Sequence, residues 1–152
     1  MRIITQNVQY ASVTINGKVY SAIKNGYLLL VSFTNHDDRL ICDKMIKKLT
    51  NLRVFPDSNG KTNLSIKDIN GCFLSVPQFT LYADCSEGNR PSFINNCLNP
   101  KDASALFDYF NETLRNVSGL IVKTGVFGAD MKVSLLNDGP FTIILDSKEL
   151  FK

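Results

Sequence analysis

Histidine occurs once in this 152-residue chain, at position 36, and the four cysteines stand at 42, 72, 85 and 97 with no C-x-x-C spacing and no histidine beside them. Zinc sites draw on these two residue types at short spacings, so no metal centre is expected. The cysteines read as free thiols of a reducing compartment rather than as a disulfide framework. Long apolar runs are missing too, since the longest candidate, Tyr27 to Phe33, is of strand length, far below the roughly twenty residues that a membrane span needs. Met1-Arg2-Ile3-Ile4 lacks the basic start, apolar centre and small-residue cleavage site of a signal peptide, which makes the cytoplasm the expected location. There is no internal repeat, low-complexity tract or linker, so residues 1–152 are expected to form a single domain. A net charge of +3 permits a polyanionic partner without requiring one.

What is present alternates between strand-like and helix-like patterning. Strands are expected over Arg2–Val8, Ala11–Ile15, Lys18–Ile23 and Gly26–Phe33, with Asn16-Gly17 and Asn25-Gly26 as the breaks between them. Asp37-Asp38 offers an N-cap to a helix carrying Ile41, Met45 and Leu49 on one face, with Lys44, Lys47 and Lys48 left for water or phosphate. A turn at Asp57–Gly60 and a strand over Gly71–Val76 follow. Asn99-Pro100 opens the clearest helix, because Asn caps and Pro suits the first helical position. Ala103, Leu106, Phe107, Phe110, Leu114 and Val117 repeat along it until Gly119. The last strands are expected at Leu120–Thr124, Met131–Leu136 and Phe141–Asp146, the final two joined by a Gly-Pro turn. The whole is an α+β unit.

Two segments do not read as ordinary core. In Val76-Pro77-Gln78-Phe79-Thr80-Leu81 the proline must end or bulge a strand, since it cannot donate to the ladder. In Asn137-Asp138-Gly139-Pro140-Phe141-Thr142 a fixed φ next to a permissive one makes a rigid turn able to present its backbone to a ligand. Together they resemble one family, the D-aminoacyl-tRNA deacylases. A Ser-Gln-Phe-Thr-like segment and an Asn-Asp-Gly-Pro-x-Thr segment are its signature motifs, the second close behind a Gly-x-Phe-Gly-Ala-Asp-Met run. Here that run is Gly125-Val126-Phe127-Gly128-Ala129-Asp130-Met131. Glu87-Gly88-Asn89-Arg90-Pro91-Ser92-Phe93 matches a further run common in the family at all but its first position, and the likeness covers almost the whole chain.

The resemblance implies a β-barrel-like sheet with two packed amphipathic helices, working as a homodimer. It implies hydrolysis of the ester joining a D-amino acid, or glycine, to tRNA, as translation quality control. Aminoacyl-tRNA and a second copy of the chain are then the partners, with neither membrane nor DNA and no metal or organic cofactor. It places Gln78, Phe79 and Thr80 in the catalytic segment, Pro77, Phe127, Met131 and Asn137 in the substrate pocket, and Arg90 near tRNA backbone. Gly139 and Pro140, joined by a cis bond, would select chirality from the partner subunit. On that picture Gly139→Ala crowds the substrate's Cα.

The residues themselves fit a reaction with little side-chain chemistry. His36 lies in a polar loop without a positioned partner, and Cys85 has no histidine or basic residue beside it in sequence to activate it. Asp84, Asp130, Asp138 and Asp146 read equally well as turn formers and caps. Thr80 without a base is a weak nucleophile. An aminoacyl ester is already activated and carries a neighbouring 2′-hydroxyl, so the protein chiefly has to position it and steady an oxyanion, for which the backbone N–H groups of Phe79 and Thr80, just beyond the Pro77 break, are candidates. Asn7 stands where the family commonly has Arg, and Pro77 where Ser is typical. Those departures keep two alternatives open: a deacylase of relaxed chirality that removes certain misattached L-residues, and a tRNA-binding module without hydrolysis.

Overall fold

Strand β1 (Arg2–Ile15) is the axis of the molecule, which is described over residues 1–152 by a computed structural model. β8 (Lys132–Asp146) lies antiparallel along one edge of β1, from Arg2↔Asp146 to Thr14↔Lys132. The other edge is shared. β3 (Gly26–Ser32) takes the first half, Arg2↔Ser32 to Val8↔Gly26, and β2 (Lys18–Ile23) takes the second, Ala11↔Ile23 to Ile15↔Lys18. The two strands expected at Arg2–Val8 and Ala11–Ile15 are therefore one, because β8 pairs with both Val8 and Tyr10 across the extra residue Gln9 and carries the strand past the point where β3 gives way to β2.

Beyond β3 the sheet continues in parallel through β6 (Cys72–Pro77) and β7 (Val122–Thr124). It curls until β2 approaches β7, where Ser21 Oγ donates to the Thr124 carbonyl at 2.9 Å. The result is a nearly closed, barrel-like sheet with helices packed on it. A small separate hairpin, β4 (Arg53–Pro56) with β5 (Thr62–Ser65), flanks the expected turn; its four-residue strands are too short to show a period in sequence.

The helices follow their caps. α1 (Arg39–Asn51) begins where Asp38 accepts from the Ile41 N–H at 2.9 Å, and it buries Cys42, Met45, Ile46 and Leu49. α2 (Pro100–Ser118) begins where Asn99 accepts from the Asp102 N–H at 3.0 Å, and it ends at Gly119 in the left-handed region at φ 67°. Ala103, Phe107, Phe110 and Leu114 are buried, Asn111 joins them, and Val117 in the final turn is exposed. The helices and one sheet face enclose a core containing Ile3, Tyr27, Leu29, Phe55 and Phe73. A smaller cluster, including Val8, Val13, Leu28 and Leu74, fills the curl of the sheet. The aliphatic and phenylalanine side chains among these contribute about 1.5–3 kcal/mol each on burial. No helix is long and apolar enough to cross a membrane.

The C-terminal strand corrects an expectation. Gly139-Pro140 does not join two strands in a hairpin; both halves of β8 pair with β1 in the same direction. The register passes from Val8↔Asn137 to Gln6↔Thr142, so residues 138–141 bulge out opposite Asn7 alone. A proline cannot donate to a ladder, and a bulge is where a strand tolerates one.

At Gly26 three strands meet, paired to Val8 on one side and Cys72 on the other, and an added Cβ would lie 1.9 Å from the Cys72 carbonyl oxygen. Gly26→Ala should therefore cost about 3 kcal/mol or more in urea unfolding. A variant within about 1 kcal/mol of wild type would show that the strands are not held at this distance.

Candidate active site

A cavity of about 850 Å³ opens at the carboxyl ends of the parallel strands β3 and β6, between Val31–Phe33 and Val76–Pro77. Ligand sites in open parallel sheets favour this end of the strands. The start of α2 and the 127–131 segment form its other walls. Mainly apolar side chains line it, with Ser32, Asn35, Gln78, Asn99 and Asp130 among the polar ones.

Pro77 ends β6 opposite Val31, and the chain turns at once into a 3-10 helix over Phe79–Tyr82. Several bonds tether the entrance to this turn. The Gln78 N–H donates to the Val31 carbonyl at 2.8 Å, while the Phe79 carbonyl accepts from Ser32 Oγ at 3.4 Å and Cys97 Sγ at 3.6 Å. Burial pushes the Cys97 thiol up, which keeps it a donor rather than a thiolate. Inside the turn, the first N–H groups have no acceptor one helical turn back, and Phe79 and Thr80 occupy those positions. Gln78 Nε2 donates to Thr80 Oγ1, so the Thr80 hydroxyl oxygen is engaged as an acceptor and has no base beside it. Phe79 is half exposed and meets Phe93 edge to face at 5.0 Å.

The glycine-rich run makes the opposite wall. The Gly125 N–H donates to the Ser75 carbonyl at 2.8 Å, and the Val126 N–H points at Met131 Sδ at 3.4 Å. A Cβ at Gly125 would come within 2.6 Å of that sulfur, so a larger residue here would require the Met131 side chain to shift. Phe127 packs on Phe107 of α2 with ring centroids 6.4 Å apart, and Asp130 pairs with Lys132 at 2.9 Å.

Five of the expected site residues thus share one cavity: Pro77, Gln78, Phe79, Phe127 and Met131. Thr80 follows directly in the turn but is exposed and does not line it. Asn137, Gly139 and Pro140 lie outside the cavity of their own chain. Asn137, expected in the pocket, instead staples the bulge: its Oδ1 accepts from the Phe141 N–H at 2.7 Å and its Nδ2 donates to Thr142 Oγ1 at 2.9 Å. The Gly139-Pro140 bond is cis, and both residues face outward. A Cβ at Gly139, where φ is 145°, would stand 2.9 Å from the nitrogen of Phe141. Gly139→Ala thus crowds its own bulge before it can crowd a substrate, and the expectation attached to it is revised on that ground.

Asn7 sits under the bulge with Nδ2 donating to the Val54 carbonyl at 2.9 Å and Oδ1 buried without a partner. Arg90 is exposed near the tip of a loop that Asp84 and Ser92 close through reciprocal backbone bonds of 2.8 and 2.9 Å. His36 is exposed at φ 72° and does not line the cavity. Among His, Cys, Asp and Glu, no three side chains group so as to hold a metal ion. Ser32 and Cys97 escaped the sequence reading because what they touch is a carbonyl, which leaves no mark on residue type.

Residues 4–146 match the family model described as D-Tyr-tRNA(Tyr) deacylase. The chain is 51% identical over 146 residues to the D-aminoacyl-tRNA deacylase of Lactobacillus acidophilus, covering 96% of this chain and 99% of that one. With the D-aminoacyl-tRNA deacylase of Chlorobaculum tepidum it shares 51% identity over 147 residues, covering 97% of each. Its fold matches a solved structure described as c-Myc DNA Unwinding Element Binding Protein with a TM-score of 0.89 at 38% identity, covering 96% and 98% of the two chains.

If Asn137 fixes the bulge, Asn137→Ala should leave the cavity side intact and loosen residues 138–141. Hydrogen exchange at the Phe141 amide should quicken by about tenfold while the Gln78 amide keeps its protection. Unchanged protection at Phe141 would remove Asn137 from this role.

Proposed function

The chain belongs to the D-Tyr-tRNA(Tyr) deacylase family and is a D-aminoacyl-tRNA deacylase, and we propose that it cleaves the ester with the backbone of the Gln78–Thr80 turn rather than with a side-chain base. The observation that carries this reading is the turn itself: its opening N–H groups lack helical acceptors and follow directly on the Pro77 edge of the cavity. The aminoacyl group enters the apolar cavity between Pro77, Phe127 and Met131, and the developing oxyanion is held by the Phe79 and Thr80 N–H groups. The 2′-hydroxyl of the terminal adenosine orients water or assists its attack. Free amino acid leaves, and the tRNA 3′ end regains its hydroxyl.

Chirality falls to Gly139 and Pro140, contributed by a second copy of the chain. Two features support that arrangement: the bulge is exposed and lies outside the cavity of its own chain, and β8 pairs only with β1 while exposing Leu136 and Ile144. A rigid surface meeting the substrate's Cα admits hydrogen or a D-side chain and rejects an L-side chain by collision, which discriminates more strongly than a missing contact. Arg90, with no acidic partner, meets tRNA phosphate. DNA has no part in this reading; the binding of a DNA element named for the structural neighbour belongs to that protein.

One observation favours a second reading. Asn7 gives its hydrogen bond to Val54 and none to the bulge above it, so a selector less firmly held from below would tolerate certain L-residues. Rates on D-, L- and glycyl-tRNA decide between strict and relaxed selection, and release of no amino acid at all would leave a tRNA-binding module.

Thr80→Ala and His36→Ala should each retain substantial turnover; a loss of about a million-fold for Thr80→Ala, the scale of deleting a covalent nucleophile, would overturn the backbone mechanism. Supply of the selector in trans is tested by mixing two inactive variants, Met131→Glu and one with Gly139-Pro140 replaced by Ala-Ala. A mixed dimer holds one intact site, so about a quarter of the wild-type rate should return. Recovery of none, with dimers confirmed by sedimentation, would place both halves of the site in one chain.

A further inference from the structure

We infer that Arg2 is a positioning residue for the deacylation, holding the Phe79–Tyr82 turn from behind so that the Phe79 and Thr80 N–H groups stand where the oxyanion develops. This rests on the backbone mechanism proposed above. Arg2 Nη1 donates to the Leu81 carbonyl at 2.6 Å, Nε donates to Asp146 Oδ2 at 2.9 Å, and Nη2 stands 2.8 Å from the same oxygen. The guanidinium also lies over the Tyr82 ring, 4.7 Å from its centroid. Two consecutive residues of the turn are thereby fixed to one side chain, which is itself fixed to the end of β8.

The anchor is firm at its far end. Asp146 is nearly buried and accepts from the Lys148 N–H at 3.0 Å as well as from Arg2. Burial pushes its carboxyl up, but the Lys148 N–H and the Arg2 guanidinium outweigh this and leave it below the usual carboxylate range. The tethers from Val31, Ser32 and Cys97 all act on Gln78 and Phe79, at the entrance to the turn. At the exit, the tether running to another part of the fold through a side chain is Arg2. A single 3-10 turn is marginal without outside support. Released at one end, it can rotate its opening N–H groups out of line. Arg2 does not line the cavity, so it acts through the turn and not on the substrate. The task suits arginine, whose planar fork pairs, donates and stacks at once; lysine has one point of attachment.

The experiment is single-turnover discharge of D-tyrosyl-tRNA by wild type, Arg2→Lys and Arg2→Ala, with rate and half-saturation measured separately. Both variants should be slower by about 10- to 100-fold, the scale of an ångström's misplacement, with half-saturation within about threefold of wild type. Guanidinium ion at non-denaturing concentration should restore part of the rate of Arg2→Ala. Wild-type rates in the folded variants would overturn the inference, and so would a loss that follows the fraction unfolded and resists guanidinium. If Arg2→Ala does not fold, Asp146→Asn carries the test: a slower rate at unchanged half-saturation supports the tether, and an unchanged rate overturns it. A wild-type protein that discharges no D-tyrosyl-tRNA would instead overturn the proposed function itself.

Discussion

The ladder between β1 and β8 holds through an interruption, and the geometry on both sides of the molecule depends on its doing so. Thirteen residues of β1, from Arg2 to Thr14, run beside β8 past a one-residue irregularity at Gln9, between Val8↔Asn137 and Tyr10↔Leu136, and a larger defect, where residues 138–141 stand opposite Asn7. On one side of that defect the ladder brings Asp146 to Arg2, and through Arg2 it reaches the Leu81 carbonyl behind the cavity. On the other side it continues to Lys132, next to Met131 in the cavity wall. A slip of one residue would turn every side chain of β8 to the opposite face. Four residues against Asn7 alone would leave such an odd shift, and the extra residue Gln9 on β1 cancels it, while Asn137 accepts from the Phe141 N–H and donates to Thr142 within the bulge.

The backbone site proposed for the Phe79–Tyr82 turn asks something particular of its surroundings. Side-chain catalysts are tuned by their neighbours' charges, whereas N–H donors can only be aimed, and their contribution depends on being preorganised before charge develops. The groups around the Phe79–Tyr82 turn are consistent with this. Ser32 is buried, the Cys97 thiol is held protonated by its surroundings, and Arg2 is locked to a carboxylate. None of these needs to change ionisation during the reaction. The only ion pair beside the cavity, Asp130 with Lys132, is exposed and adds little to stability.

Local signals made the helices legible in the sequence. Asp38, Asn99-Pro100 and Gly119 each satisfy or terminate backbone groups within a few residues, so the α1 and α2 boundaries are written where they act. The break at the cavity edge was legible for the same reason: Pro77 must end its strand, and the glycine run must pass close to something, which is Met131. What is set by distant partners was not legible. The unity of β1 depends on β8 more than a hundred residues later, and Gly139-Pro140 reads as a hairpin turn unless one knows that both flanks have the same partner. Asn137 looks like a pocket residue by its neighbours in sequence and is a staple by its neighbours in space. Arg2, Ser32 and Cys97 act on carbonyl oxygens, which every residue possesses, so no pattern of residue types announces them.

The separation of the cavity from the bulge bears on how selection and catalysis are divided. Selection by collision works only if the colliding surface does not yield, and the bulge meets that requirement with a proline of fixed φ, a glycine whose own Cβ position is occupied by Phe141, and the Asn137 staple. Gly139 and Pro140 face outward and line no cavity of the chain that carries them. A second copy related by a two-fold axis would present the same bulge to the first, and a self-complementary contact of that kind delivers two selectors to two cavities in one step. On the proposed arrangement the backbone donors and the selector belong to different chains, so each would be held by its own supports, the turn by Arg2 and the bulge by Asn137, without competing for the same backbone.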